Sequence, residues 1–379
     1  MSKLIYLDSF SVGAFHEMYN ASSLKMFMCL YDKVIYYSTK SSYCAVCNIF
    51  SEAKNVVHKT IWMVGGNTSF RNALHHLFAC IVNLIVLFCV SRSFIVVINY
   101  NCLWGFGTMN WIIKRRHLKV MIVCHGEMEY LNSVKKLNCF SQKSLNKLKN
   151  SKLCIANDLY LCVLGQNILQ NIKQCLPYNV SSHFICFEHS LMPKDVPPQK
   201  VSGNIIRFAM VGTIHQGVAL DNLIKVSKAV CDKKQIEIYA LGRVFCNAKI
   251  LLDNGIKIIP NSDKEFVHRK LLENYIENMD AILVLHPCDS YKFTASAAVH
   301  DAVNNEKFII GLKNNYYNHF FNLVRPGKLC DTIEELIEFI RNVSKPTLYQ
   351  IDFKNNKKIL SPENVAKAFK PILSQKGLI

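Results

Sequence analysis

The chain has 379 residues, of which 50% are hydrophobic and 19% charged, with only 15 Gly and 10 Pro. This composition supports large buried cores and excludes wholesale disorder and collagen-like or linker-dominated architectures. Lys+Arg number 45 against 27 Asp+Glu, a formal net charge of +18, which points to an anionic partner such as a phosphorylated small molecule, nucleic acid or an acidic membrane.

In chain order, Leu4 to Leu7 reads as a strand, followed by a turn at Gly13. Met18 to Leu30 has helical spacing and Val34 to Tyr37 reads as a second strand. A helix is expected over 70–90, then a fully buried strand at Phe94 to Tyr100. A helix near Met109 to Arg116 precedes the strand Val120 to Cys124. Lys152 to Ala156, Tyr160 to Leu164 and His183 to Phe187 read as further strands. Within 70–90 the run Leu77 to Val90 is nearly all apolar. It is shorter than the roughly 20 residues that span a bilayer, so a buried core helix is expected, with an interfacial helix as the alternative.

Residues 188–204 carry Pro193, Pro197, Pro198 and Gly203 and read as a linker. Alternation then restarts. Strands are expected at Ile205 to Val211, Gln235 to Leu241, Lys257 to Ile259, Ala281 to Leu285 and Phe308 to Ile310. Helices are expected at Leu220 to Cys231, Lys264 to Ile276, Ser296 to Val303, Ile333 to Asn342 and Pro362 to Leu373. Continuous apolar strands between helices indicate parallel sheets covered on both faces. The expected fold class is therefore α/β, with two doubly wound Rossmann-like domains facing each other across a cleft. The division is 1–190 for a first domain, 191–204 for the linker, 205–355 for a second domain, and 356–379 for a helix crossing back to the first domain.

Of the +18 charge, +12 falls in residues 1–200. The segment 114–152 holds ten Lys+Arg against Glu127 and Glu129, a basic region suited to anionic lipid headgroups or to solvent alone. The 16 cysteines are scattered, often in apolar runs, and the single C-x-x-C at Cys44 and Cys47 has no second pair or His at zinc spacing. No metal site is expected, and a reducing, cytoplasmic compartment is. No helix-turn-helix, zinc finger or other nucleic-acid module is recognisable, so no nucleic-acid partner is expected.

Three places carry candidate chemistry. Gly212 and Thr213 end a strand and open a helix, where backbone N–H groups can approach a phosphate. His125 directly follows the strand Val120 to Cys124 and precedes Gly126-Glu127, the end at which open α/β sheets present polar groups to ligands. Glu127, at the same strand end, would serve as a general base toward a hydroxyl if the reaction inverts its centre, and would only position that hydroxyl if the reaction retains it. The loop at Gly13, with Ser11, His16 and Glu17, resembles a glycine-bearing first loop of the kind that lines a cleft, His16 otherwise capping or packing on the following helix. Tyr316 and Tyr317 are expected to be surface or packing aromatics.

The segments Arg207-Phe-Ala-Met-Val-Gly-Thr213 with Gln216-Gly217, Ile238-Tyr-Ala-Leu-Gly-Arg243, and Ser296-Ala-Ala-Val-His-Asp-Ala302 before Lys307-Phe-Ile-Ile310 resemble, in order and spacing, the donor half of GT-B glycosyltransferases of the broad family 4 type. The resemblance implies a metal-independent, hexosyltransferase-type enzyme taking a sugar from a nucleoside-diphosphate sugar to a saccharide or lipid-linked acceptor. It implies a role in surface or capsular polysaccharide assembly, in the cytoplasm or peripherally on the inner membrane face. No cofactor is implied, because the nucleotide sugar is a substrate. The implied donor-binding residues are Gly212, Thr213, Arg243, Lys292, Ser296 and Asp301, with Asp301 on the ribose. Ser296 or Thr294 would cap the helix that carries Asp301. His125 would face the donor sugar. The chain departs from the family pattern at Thr213 and Gln216, where the family has cations, and at Phe293, where it has an acidic residue. A sugar-nucleotide epimerase and a non-catalytic GT-B protein are the alternatives.

Overall fold

A computed structural model of the chain describes residues 2–64, 69–131, 139–194, 196, 203–264 and 267–379. Lys135 and Lys136 of the basic region, and Pro197 and Pro198 of the expected linker, lie outside the described residues. The chain divides into two compact units. The first comprises Met1–Met192, Lys292–Ala295 and Leu360–Ile379, and the second Pro193–Tyr291 and Ser296–Ile359.

The first unit runs β1 (Lys3–Leu7), α1 (Glu17–Met28), β2 (Lys33–Ser38), α2 (Lys40–Ile49), β3 (Val57–Thr60), α3 (Ser69–Cys89), β4 (Ile95–Ile98) and α4 (Phe106–Arg116). It continues with β5 (Lys119–Val123), α5 (Cys139–Lys149), β6 (Leu159–Val163), α6 (Gln166–Cys175), α7 (Tyr178–Ser181) and β7 (Phe184–Cys186). The seven strands form one parallel sheet in the order β3-β2-β1-β4-β5-β6-β7. Val96, Val97, Ile98, Val120, Met121, Ile122 and Val123 are fully buried, as strands covered on both faces require. Right-handed crossovers put α1 and α2 on one face and α3 to α6 on the other. The last helix, α16 (Pro362–Gln375), packs on α1 and contributes Val365, Phe369 and Leu373 to the same core as Tyr6, Leu24 and Phe27.

The second unit runs β8 (Ile206–Val211), α8 (Val218–Ala229), β9 (Ile236–Leu241), α9 (Ala248–Asp253), β10 (Ile256–Ile258), α10 (Arg269–Glu277), β11 (Ala281–Val284) and α11 (Ala297–Asn304). β12 (Phe308–Leu312), α12 (Asn315–Val324), β13 (Gly327–Cys330), α13 (Ile333–Asn342), α14 (Lys345–Leu348) and α15 (Phe353–Asn356) complete it. Its six-stranded parallel sheet has the order β10-β9-β8-β11-β12-β13. Leu220, Leu223 and Val226 of α8 pack with Leu336 and Ile340 of α13 over this sheet.

Two expectations change. Residues 152–156 are a loop rather than a strand. Their backbone is held by one side chain: Asn110 Nδ2 donates to the Cys154 carbonyl at 2.9 Å, and Asn110 Oδ1 accepts from the Ala156 N–H at 2.8 Å. With those groups satisfied, no neighbouring strand is needed. The second change concerns α3. Ala79, Cys80, Asn83, Val86 and Leu87 are buried, but Leu77, Ile81, Ile85 and Phe88 are exposed. A helix on the flank of a sheet is covered from one side only, so this one is half core and half apolar surface.

Candidate functional sites in the two units

In an open α/β sheet the ligand crevice lies outside the carboxyl ends of the strands where strand order reverses. In the first unit that point falls between β1 and β4. Asp8 ends β1 and is 1% exposed. Its Oδ1 accepts from the backbone N–H of Ser11 at 3.0 Å, fixing the loop that leads to Gly13. Its Oδ2 accepts from Asn20 Nδ2 at 2.8 Å and from the Ser42 hydroxyl at 3.2 Å. Asn20 Oδ1 accepts in turn from Asn99 Nδ2 at 2.7 Å, just past β4. Burial raises the Asp8 carboxyl, and the Ser11 N–H opposes that rise.

The Asn99 carbonyl then contacts His125 Nε2 at 2.9 Å. A carbonyl only accepts, so Nε2 carries the proton and Nδ1 is the ring's acceptor. Burial pushes the imidazole down to about 4, so it is neutral at pH 7. Its ring meets Tyr19 at 4.9 Å and His16 at 5.3 Å, both edge-on. Phe10 and Tyr100 stack at 3.8 Å beside it. Asp8, Phe10, His16, Asn99, Tyr100 and His125 line one small crevice. Glu127 Oε2 accepts from the His125 backbone N–H at 2.9 Å, and the carboxyl is buried beside the Asn101 and Cys124 side chains. Burial lifts this carboxyl to about 7, against the pull of its own N–H and that of His125. Gly13 holds a left-handed turn and donates its N–H to the Ser41 hydroxyl at 3.0 Å. Lys292 lies in the segment that belongs to the first unit, its carbonyl accepting from Asn171 Nδ2 at 2.7 Å and its ammonium 5.6 Å from the Phe293 ring. Phe293 is buried and donates its N–H to Glu129 Oε1 at 2.8 Å.

In the second unit strand order reverses between β8 and β11. Gly212, which directly follows β8, touches Gly242, which directly follows β9. A Cβ at Gly242 would stand 2.0 Å from the Gly212 carbonyl oxygen. Beyond this contact the chains stay paired, Ile214 N–H donating to the Arg243 carbonyl at 2.8 Å. Thr213 is exposed, and α8 starts after Gly217. The Arg243 guanidinium lies 5.3 Å from the Phe245 ring, which stacks on His215 at 4.8 Å. Gly212, Thr213 and Arg243 are thus brought together. On the other side of the reversal, His286 follows β11. Its Nδ1 meets the Tyr317 hydroxyl at 3.2 Å and its Nε2 the Tyr291 hydroxyl at 3.4 Å, and burial pushes it down to about 4. Tyr316 and Tyr317 are buried packing aromatics.

Ser296 stands at the N-cap of α11, but its side chain makes no capping bond; its buried hydroxyl interacts instead with the Tyr317 hydroxyl. Asp301, further along α11, pairs with Arg269 of α10 at 2.7 Å. The carboxylate expected on a ribose is therefore engaged by a neighbouring helix. Sequence reasoning passed over Asp8, Asn20, Asn99 and His286. His286 carries the same signal as His125, a histidine directly after a buried strand. Asp8 and Asn99 also end strands, and only the adjacency of β1 and β4 joins them.

No family model matches the sequence, and no curated protein matches it. The structure is similar to several solved ones. An apo structure of OtsA matches with a TM-score of 0.61 at 9% identity, over 100% of both chains. A TarM variant from S. aureus, in complex with fondaparinux, α-GlcNAc-glycerol and UDP, matches at 0.60 and 11% identity over 100% of this chain and 99% of that one. Another TarM structure matches at 0.56 and 13% identity over 78% of this chain and 58% of its own. The apo lipopolysaccharide outer core galactosyltransferase WaaB matches at 0.58 and 10% identity, over 99% of this chain and 100% of its own. At such identities the likeness is one of fold: two Rossmann-like units in the manner of the GT-B glycosyltransferases.

Proposed function

We propose that the chain is a glycosyltransferase, moving a hexose from a nucleoside-diphosphate sugar to a hydroxyl of a saccharide or lipid-linked acceptor in surface polysaccharide assembly. The observation that carries this reading is the pairing of the GT-B fold, matched end to end by OtsA and WaaB, with a polar cluster at the strand-order reversal of each unit. Support for the nucleotide comes from the neighbour solved with UDP, the TarM variant.

In this proposal the second unit holds the nucleotide. Backbone N–H groups at Gly212 and Thr213, and the start of α8 after the Gly217 cap, face the diphosphate, and Arg243 supplies the positive charge that Thr213 and Gln216 lack. Asp301 takes the ribose, sharing its carboxylate with Arg269. The first unit handles the sugar and acceptor. His125, neutral and fixed with Nδ1 as acceptor, orients a sugar hydroxyl. Glu127, with its carboxyl near neutrality, takes a proton from the acceptor hydroxyl as the new glycosidic bond forms and the nucleoside diphosphate departs. No cofactor and no metal enter this scheme, the sequence having no D-x-D pair at a strand end. A cytoplasmic setting fits the free thiols of the described cysteines.

The test is a thermal-shift panel of UDP, GDP and CDP and their sugars. One base is expected to raise the melting temperature by mass action. A flat panel overturns the proposal. Binding without release of nucleoside diphosphate in the presence of acceptors would reduce the protein to a nucleotide-sugar binder, and an altered sugar without an acceptor would make it an epimerase.

A further inference from the structure

We infer that the flank of the first unit built from α3 and α4 is a docking face for a lipid bilayer rich in anionic headgroups. This inference goes beyond sugar transfer and does not depend on it.

Three observations carry it. The first is an apolar stripe. Leu77, Ile81, Ile85 and Phe88 recur at helical spacing on the outer side of α3, with Ile85 56% and Phe88 66% exposed. Scattered exposed apolar residues are ordinary, but a continuous stripe along a helix marks an interaction surface. The second is its border. Trp111 on α4, which packs against α3, is 61% exposed, and Lys114 and Arg115 stand exposed one turn further on. Trp62 is 70% exposed and meets the Phe78 ring of α3 edge-on at 5.2 Å. Indole rings and basic side chains beside an apolar stripe suit the boundary between headgroups and acyl chains. The third is charge. No acidic residue occurs between Glu52 and Glu127, a stretch that holds eight Lys+Arg and all of α3 and α4. A surface of one sign complements the negative surface of an anionic bilayer.

Length and composition would let Phe70–Cys89 cross a membrane, but its inner side is packed against α4. Ala79, Asn83 and Leu87 of its inner side are fully buried. Arg116 Nη1 donates to the carbonyls of Leu87 at 2.8 Å and Phe88 at 2.5 Å, tying the end of α3 to α4. Crossing would strip these contacts. The helix therefore lies along the bilayer with only its outer stripe immersed.

The test is co-sedimentation of the full chain with vesicles of phosphatidylglycerol in phosphatidylcholine, or of phosphatidylcholine alone, at low and high salt. The wild type should bind the acidic vesicles and weaken with salt. Its tryptophan emission should shift to the blue and be quenched by brominated acyl chains. Ile85→Glu with Phe88→Glu, both at exposed positions, should keep the melting temperature and lower binding about a hundredfold. Lys114→Glu with Arg115→Glu should lower binding to acidic vesicles about tenfold or more and leave binding to neutral vesicles unchanged. A wild type that ignores acidic vesicles overturns the inference, as does binding that survives the apolar substitutions. A dimer that Ile85→Glu with Phe88→Glu dissociates, without vesicle binding by the wild type, overturns it in favour of a second copy of this chain.

Discussion

Glu127→Gln is expected to stabilise the first unit at neutral pH while removing transfer activity. Burial lifts the Glu127 carboxyl from an ordinary 4.5 to about 7. Each pKa unit corresponds to about 1.4 kcal/mol, so holding this group ionised in the fold costs about 3 kcal/mol. The sign follows from proton binding. Below 4.5 both folded and unfolded chains hold the proton, and no penalty exists. Between 4.5 and 7 the unfolded chain releases it first, so stability falls as pH rises. Above 7 the penalty is complete. Glutamine has no proton to lose, and its amide oxygen can still accept from the His125 N–H. Urea unfolding of the two proteins across this range is the assay. The variant's advantage should be near zero at the acid end and reach about 3 kcal/mol at about pH 8. Asp8, also raised by burial, is present in both proteins and cancels. An advantage that does not change with pH would refute the reasoning, as would a wild type more stable at the alkaline end.

Gly242→Ala should destabilise the second unit by about 4 kcal/mol, since its φ of 135° suits glycine and the added methyl would meet the Gly212 carbonyl oxygen at 2.0 Å. A melting temperature lower by about 10 °C checks this. Gly126→Ala, where a Cβ meets nothing within 4 Å, should shift stability by less than about 1 kcal/mol. Asp301→Asn should weaken binding of the nucleoside diphosphate severalfold in titration calorimetry. It should also cost about 1–2 kcal/mol of stability through the ion pair with Arg269. A variant that melts lower yet binds as wild type would confine Asp301 to a structural role.

Much of the architecture is legible in the sequence because parallel strands buried on both faces leave unmistakable apolar runs, as at Phe94 to Ile98 and Val120 to Cys124. The edge strands β3 and β13 are not. β3 is Val-His-Lys-Thr with three of four residues exposed, and no run marks it. The polar sequence of α5 hides its helix, and α6 was passed over although Ile168, Leu169 and Ile172 keep helical spacing. The alternation at Lys152 to Ala156 misleads because one asparagine, Asn110, does what a strand partner would do. For the sites, a residue's position after a strand can be read, as at His125 and Glu127. The relay from Asp8 through Asn20 and Asn99 to His125 cannot, because its members lie far apart in sequence and meet only through the order of the sheet. The Asp301–Arg269 pair depends likewise on how α10 and α11 pack. That one side of α3 faces solvent is a tertiary fact on which its apolar composition is silent.

The return of α16 to the first unit has a consequence for biogenesis. Tyr31 donates its hydroxyl proton to the Leu378 carbonyl at 3.0 Å, across 347 positions, and Lys25 pairs with Glu363 at 2.7 Å. A ribosome delivers the amino-terminal strands long before the helix that seals them. The earliest-made half must therefore wait with an open apolar seam while the later-made half closes around its own sheet. Vectorial synthesis thus reverses the order of completion: of the two units, the one begun first is the one sealed last.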